Sequence, residues 1–299
     1  MTKDYSRGKL LLTAEYMVLK GAEALAIPTK MGQMLEFQPD YSKSLKWESW
    51  DNKNQIWFSA SMDLHDFNIS NTNEPVIASR LVTILRAIRA QKNDFLIKNG
   101  GMVKTNLEFD RHWGLGTSST LISNLAQWSK TNPYTLLQKS FGGSGYDIAC
   151  ATAKSPMIYR MDSTQPYIEA CKFDPEFKSN LYFIYLNQKK NSRQAVKQFK
   201  KQNITQEQIT YTSSLTRAAL KACTLDEFEK ILNEHERFIS KILGLVSIKE
   251  KQFPDFPGVI KSLGAWGGDF ILATGDNSTV NYFKNKGFTV VMSYKKIML

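Results

Sequence analysis

A chain of 299 residues with 42% hydrophobic and 22% charged side chains has the composition of a folded globular protein, long enough for two domains. These figures exclude a disordered or fibrous chain, and no run approaches the roughly 18 apolar residues that a membrane helix requires. The formal charge of +11 is the unusual value, and a basic surface attracts acidic metabolites, nucleic acid or an anionic membrane. The Lys and Arg residues are spread along the chain. Their densest patch (Lys189, Lys190, Arg193, Lys197, Lys200, Lys201) reads first as a solvated helix face. Lys3 and Arg7 precede an apolar stretch, but Glu15 interrupts it and no small-residue cleavage site follows, so no signal peptide is expected. Cys150, Cys171 and Cys223 are odd in number and widely spaced, which fits neither a disulfide framework nor a metal cluster and fits a reducing cytoplasm.

In chain order, residues 9–19 predict a buried strand and a turn into a helix, with Lys9 just before the strand. Residues 35–37, 45–50 and 55–59 predict antiparallel strands, the last two by alternating polarity. Residues 75–90 carry Val76, Ile77, Leu81, Ile84, Leu85 and Ile88 at helical spacing, with Pro75 in the first turn. An alternating strand at 102–109 leads into a glycine-bearing loop and a helix at 118–130, and Pro133 opens a short second helix. A buried strand at 181–186, long helices at 206–222 and 225–243, a strand at 271–274, a helix at 280–285 and a strand at 289–293 complete the chain. Strands and helices mix without strict alternation, which predicts an α+β fold with a boundary near residues 173–180.

Three segments carry chemistry. Gly114-Leu115-Gly116-Thr117-Ser118-Ser119 lies between a strand and a helix. Glycines there let the backbone approach a polyphosphate, and the helix N-terminus favours negative charge. The plainer alternative is a glycine turn with a serine cap. No Gly-Lys-Ser/Thr closes the loop, so it is not a Walker A sequence. Ser144-Gly145-Tyr146-Asp147 places one acid in a glycine-rich bend, suited to orienting or deprotonating a hydroxyl; a helix-capping Asp is the alternative. Gly264-Ala265-Trp266-Gly267-Gly268-Asp269 enters a strand, and its glycines permit either close backbone approach or a plain turn.

The ordered set says more than its parts. Lys9 in GKLLLTAEY, the GLGTSS loop, GSGYDIA and GAWGGDF resemble, in order and context, the motifs of the GHMP kinase superfamily: G-K-x-x-L-x-G-E-Y/H, P-x-G-x-G-L-G-S-S and G-A-G-G-G-D/C. The ALAIP stretch at 24–28 and LYFIYLNQKKNSRQAV at 181–196 extend the resemblance over nearly the whole chain. It implies a ribosomal-protein-S5-like N-terminal ATP-binding domain (1–175), a ferredoxin-like C-terminal domain (176–299), and an active site between them. It implies ATP and magnesium as cofactors, Asp147 as the catalytic acid and Lys9 as its partner. Gly114, Leu115, Gly116, Thr117, Ser118 and Ser119 fall on the ATP-phosphate loop, with Ser118 similar to a magnesium ligand. Glu15, Tyr16, Ser144, Gly145, Arg193, Gly267, Gly268 and Asp269 fall on the substrate side. Ala14, His112 and Trp266 stand where the family carries glycine, and residues 119–146 hold no Asp or Glu to match the magnesium-binding glutamate of several relatives.

Glu15-Tyr16 is similar to the Glu-Tyr of phosphomevalonate kinases, whereas mevalonate kinases usually carry Glu-His. The resemblance therefore implies a small anionic substrate, phosphomevalonate first, then mevalonate, with a sugar kinase or diphosphomevalonate decarboxylase behind. It implies a monomer or homodimer without nucleic-acid or membrane partners. A catalytically dead member binding ATP or a metabolite is the alternative that the three bulky replacements motivate; RNA binding is a more distant one.

Overall fold

The computed structural model describes residues 1–162, 165–188, 192–264, 266 and 268–299, without the side chains of 192–195. It is a mixed α+β chain that packs as two compact units, each drawn from separate stretches of sequence. The first comprises Met1–Gly8, Met31–Arg111 and Leu115–Thr152; the second comprises Lys9–Lys30, His112–Gly114 and Ala153–Leu299.

In chain order the first elements are β1 (Thr2–Leu11), β2 (Ala24–Pro39), β3 (Ser44–Trp50), β4 (Ile56–Asp63), β5 (Ile69–Thr72), α1 (Pro75–Arg89), β6 (Gly101–Leu107), α2 (Thr117–Ser129), α3 (Pro133–Ser140) and α4 (Tyr146–Thr152). In the first unit the strand order is β5-β4-β3-β6-β2, β2 entering through Gln33–Pro39. All neighbours are antiparallel except β3 and β6, which run parallel. A parallel pair needs a long crossover, and α1 lies within that connection. Alternation decides which face is covered: Leu45, Trp47, Phe58, Ala60, Met62 and Val103 are buried, against Leu81, Leu85 and Ile88 of α1, Ile122 and Leu125 of α2, and Leu136 of α3. The polar atoms of that face are matched internally. Trp47 Nε1 donates to Ser49 Oγ at 3.1 Å, and Thr105 Oγ1 donates to the same oxygen at 2.8 Å. Asn132 caps α3 by accepting from the amides of Tyr134 and Thr135, with Pro133 at the first position.

The second unit contains β7 (Met157–Arg160), β8 (Tyr167–Ala170), β9 (Leu181–Tyr185), α5 (Ser192–Phe199), α6 (Gln206–Lys221), α7 (Leu225–Leu243), α8 (Ile248–Gln252), β10 (Ile260–Ser262), β11 (Phe270–Thr274), α9 (Ser278–Asn285), β12 (Val291–Ser293) and α10 (Tyr294–Ile297). Residues Ala24, Leu25 and Ala26 of β2 pair with β7, and β7 with β8. A separate antiparallel sheet has the order β10-β11-β9-β12. Phe253, Phe256 and Phe283 pack with Ile184 and Ile271 to fill the core beside it. Thr205 and Gln208 form a reciprocal cap on α6, Thr224 caps α7, and Gly244 ends α7 in the left-handed conformation. Among the described residues, no helix is long and apolar enough to cross a membrane.

The long periodic elements lie where the sequence predicts them. The largest difference is β2, which runs 16 residues where the sequence predicts a strand only at 35–37. β1 begins at Thr2, so Lys9 lies inside a strand, not before one, and β5, β7, β8, β10, α4, α5, α8 and α10 lacked a distinctive pattern. Leu85→Ala is expected to cost about 2–5 kcal/mol in urea denaturation because it empties a sealed position, whereas Val76→Ala, 64% exposed on the same helix, should stay within about 0.5 kcal/mol.

Candidate active site

Within the second unit, β1 carries Lys9 and then turns. Ala14 and Tyr16 both sit in the left-handed region, at φ 60° and 63°, before a short 3-10 helix (Met17–Lys20) that Gly21 ends at φ 90°. The conformation explains why glycine suits position 14, since an alanine there costs about 1–2 kcal/mol. Here the turn is held by a distant partner: the Ala14 amide donates to Nε2 of His235 on α7 at 2.8 Å. An orphaned buried amide would cost about 1–3 kcal/mol more.

Glu15, expected on the substrate side, is wholly buried instead, because Lys261 of β10 matches its charge inside the core. Lys261 Nζ lies 2.6 Å from Glu15 Oε1, 2.7 Å from the Ser262 carbonyl oxygen and 3.4 Å from Glu236 Oε2. Glu236 in turn accepts from the Ser262 amide at 3.1 Å and from its hydroxyl at 2.6 Å. Trp266 is buried, with its ring centre 5.9 Å from Lys261 Nζ. Burial pushes the Glu15 carboxyl up to about 7, against the pull of Lys261. Burial, and then the charge of Lys261, hold His235 well below the usual histidine range, so its ring is neutral. Tyr16 packs its ring 5.3 Å from Phe199, and burial followed by the charge of Glu15 pushes its hydroxyl up to about 12.

Three of the sequence segments meet at Gly114. Lys9 Nζ donates to its carbonyl oxygen at 2.8 Å. The Asp269 carboxylate lies so close that a Cβ on Gly114 would stand 2.3 Å from Oδ2, and φ is 67° there, so any side chain meets both a clash and a strained backbone. His112 and Trp113 are anchored in the same unit. Trp113 meets Phe270 edge-on at 6.0 Å, and the Tyr185 hydroxyl donates to the His112 carbonyl oxygen at 3.2 Å. His112 itself is exposed, which is why a side chain larger than the family's glycine is tolerated. Asp269 has φ 54°, its amide donates to the Gln188 carbonyl and its carbonyl accepts from Leu186. Gly268 is buried beside it, whereas Gly267 lies outside the described residues. Arg193 falls on α5, with its side chain likewise outside them.

In the first unit, Leu115 is buried and Gly116, at φ 102°, begins α2. No side chain caps this helix, and its first turn contains no acidic residue. Its amide end therefore presents donors and a partial positive charge, with Ser118 exposed on the first turn. Thr117 Oγ1 lies 3.4 Å from the Arg111 carbonyl oxygen. Ser119 is buried and its hydroxyl donates to the Gly116 carbonyl oxygen at 3.0 Å, so it serves the helix start. Asp147 sits in the first turn of α4, after Ser144 and Gly145 (φ 86°), its Oδ1 accepting from the Ile148 amide at 3.0 Å. Among the described residues no group of three His, Cys, Asp or Glu is placed to hold a metal.

No protein-family profile matches the chain, and no curated protein matches its sequence. Solved structures do match. Streptococcus pneumoniae phosphomevalonate kinase, solved with phosphomevalonate and AMPPNP, aligns at TM-score 0.71 and 17% identity over 98% of this chain and 100% of that one. L. major mevalonate kinase, solved with R-mevalonate, aligns at 0.69 and 16% over 98% and 95%. A D-glycero-D-manno-heptose 1-phosphate kinase from Bacteriodes thetaiotaomicron aligns at 0.66 and 15% over 99% and 95%. The chain has the fold of the GHMP kinases, the superfamily its four segments resemble.

The sequence reading missed His235, Glu236 and Lys261. Its available signals were a lysine next to Val259 and Ile260, and polar residues on the buried stripe of α7 among Phe228, Leu232 and Ile239. Gly114→Ala is expected to destabilise by about 1–3 kcal/mol in denaturant titration. Adding Asp269→Ala should recover part of that loss, the part due to the clash and not to φ. Glu15 titrates above its ordinary value in the folded chain, so the native state binds its proton more tightly. Its contribution to stability is full below about pH 4.5 and is lost as pH rises through about 7. Glu15→Gln should flatten the fall in stability between pH 5 and 7, measured by urea denaturation.

Proposed function

We propose that the protein is a small-molecule kinase that transfers the γ-phosphoryl group of ATP to an anionic metabolite, phosphomevalonate before mevalonate or a sugar. The observation that carries this reading is the meeting of the opening, loop and third segments at Gly114, through Lys9 and Asp269. The uncapped N-terminus of α2 separately offers amide donors of the kind a bound polyphosphate takes. The solved phosphomevalonate complex with AMPPNP, on the same fold, supports both the donor and the acceptor class.

The reading gives each residue a task. Amides at the start of α2 bind phosphate oxygens, and the Lys9 ammonium offsets their charge. Asp147 orients the acceptor or takes its proton; for a phosphate acceptor, already ionised at neutral pH, orientation is the larger part. Tyr16, Ser144, Gly145, Arg193, Gly267, Gly268 and Asp269 form the acceptor side. A magnesium ion would be held as a partner of the triphosphate, with the exposed Ser118 hydroxyl at the start of α2 as the protein ligand. When bound it neutralises charge on the transferring group. The functional division into 1–175 and 176–299, and a cytoplasmic monomer or homodimer, belong to the same reading.

Magnesium-dependent ADP release with phosphomevalonate, mevalonate or diphosphomevalonate offered in turn is the test. Turnover of phosphomevalonate is expected, and Asp147→Asn should lower it at least about a hundredfold. ATP binding with no turnover of these or of sugar acceptors would overturn the kinase reading in favour of a regulatory nucleotide binder.

A further inference from the structure

His235 lies on the buried stripe of α7 with the apolar Phe228, Leu232 and Ile239 and beside the buried Glu236. An apolar side chain would pack there without the cost of burying an imidazole. What histidine adds is an acceptor: Nε2 takes the Ala14 amide at 2.8 Å, across 221 residues of chain. A neutral ring accepting at Nε2 carries its proton on Nδ1, which faces Glu15 Oε2 at 3.9 Å, too far for a hydrogen bond. The ring is therefore committed to the turn's backbone.

Lys261 holds the same turn from β10. Its ammonium bonds the Glu15 carboxylate at 2.6 Å and is steadied by the Ser262 carbonyl and Glu236. The two residues on either side of Glu15 are left-handed and lack the glycine that makes such a backbone easy. Tyr16 follows directly, its ring against Phe199, while Lys20 Nζ donates to the carbonyl oxygens of Lys200 and Gln202 at 2.9 Å each. The segment is thus clamped at its amide, its carboxylate and its far end by three separate elements of the second unit.

We infer that His235 and Lys261 are positioning residues that lock the Ala14-Glu15-Tyr16 turn and thereby set Tyr16 for the acceptor. The acceptor half rests on the kinase reading; the locking of the turn does not. Neither residue touches the reacting atoms. Their effect is expected in acceptor KM, not in ATP KM.

The test pairs kinetics with amide hydrogen exchange at Ala14 in the full chain. In His235→Leu the Ala14 amide should exchange at least tenfold faster while amides of β9 and β11 keep their wild-type rates. Acceptor KM should rise about tenfold with ATP KM within twofold. His235→Gln, which restores an acceptor oxygen, should recover most of both. Should His235→Leu fail to fold, the charge-free pair Glu15→Gln/Lys261→Met gives the same readouts without leaving either of those two groups charged and alone. Wild-type exchange at Ala14 in a folded variant would overturn the inference, as would faster exchange with unchanged acceptor KM. If the wild-type protein turns over no acceptor, the kinase reading fails while the exchange rates still decide whether the turn is locked as inferred.

Discussion

Lys261 has no contact with water, and its charge is matched within the protein by Glu15 at 2.6 Å, with Glu236 at 3.4 Å. Removing one member of such a group leaves the other charge stranded in a medium that solvates it poorly, at a cost of several kcal/mol. The opening turn is therefore fixed in register with β10 and α7, although neither is near it in sequence. Its strained backbone is tolerable because His235 accepts the Ala14 amide and Lys261 holds the next side chain. β1, which precedes this turn, presents Lys9 to Gly114, so the cation and the loop carbonyl share one framework.

The three positions where the family resemblance expects glycine are accommodated in three different ways. Ala14 takes the left-handed conformation itself and is compensated by a hydrogen bond. His112 projects to solvent and leaves its carbonyl to Tyr185. Trp266 is buried, and its ring covers the ammonium of Lys261, a contact that adds cation–π attraction to the ion pair. At Gly114 glycine is kept, and there the Asp269 carboxylate occupies the space a side chain would need.

Much of the fold was legible because long elements repeat their pattern. The helices at 75–89, 117–129, 206–221 and 225–243 show apolar spacing over several turns, and strands such as 45–50 alternate. Short elements escaped: β7, β8 and β10 have three or four residues each, too few for a period to declare itself. The packed units are not continuous in sequence, because β1 and β2 are each divided between them and the 112–114 stretch belongs with the second, a partition that no local pattern carries.

The sequence by itself determined the order and types of the chemical segments, the glycines at 114 and 116, the lysine at 9 and the acid at 147, because those depend on residue identity and short spacing. Tertiary structure alone decided that Glu15 faces an interior lysine and that His235 serves a backbone amide. Partners 221 and 246 residues apart leave no periodic trace, and a charged or polar side chain enters the core only where another element brings its complement.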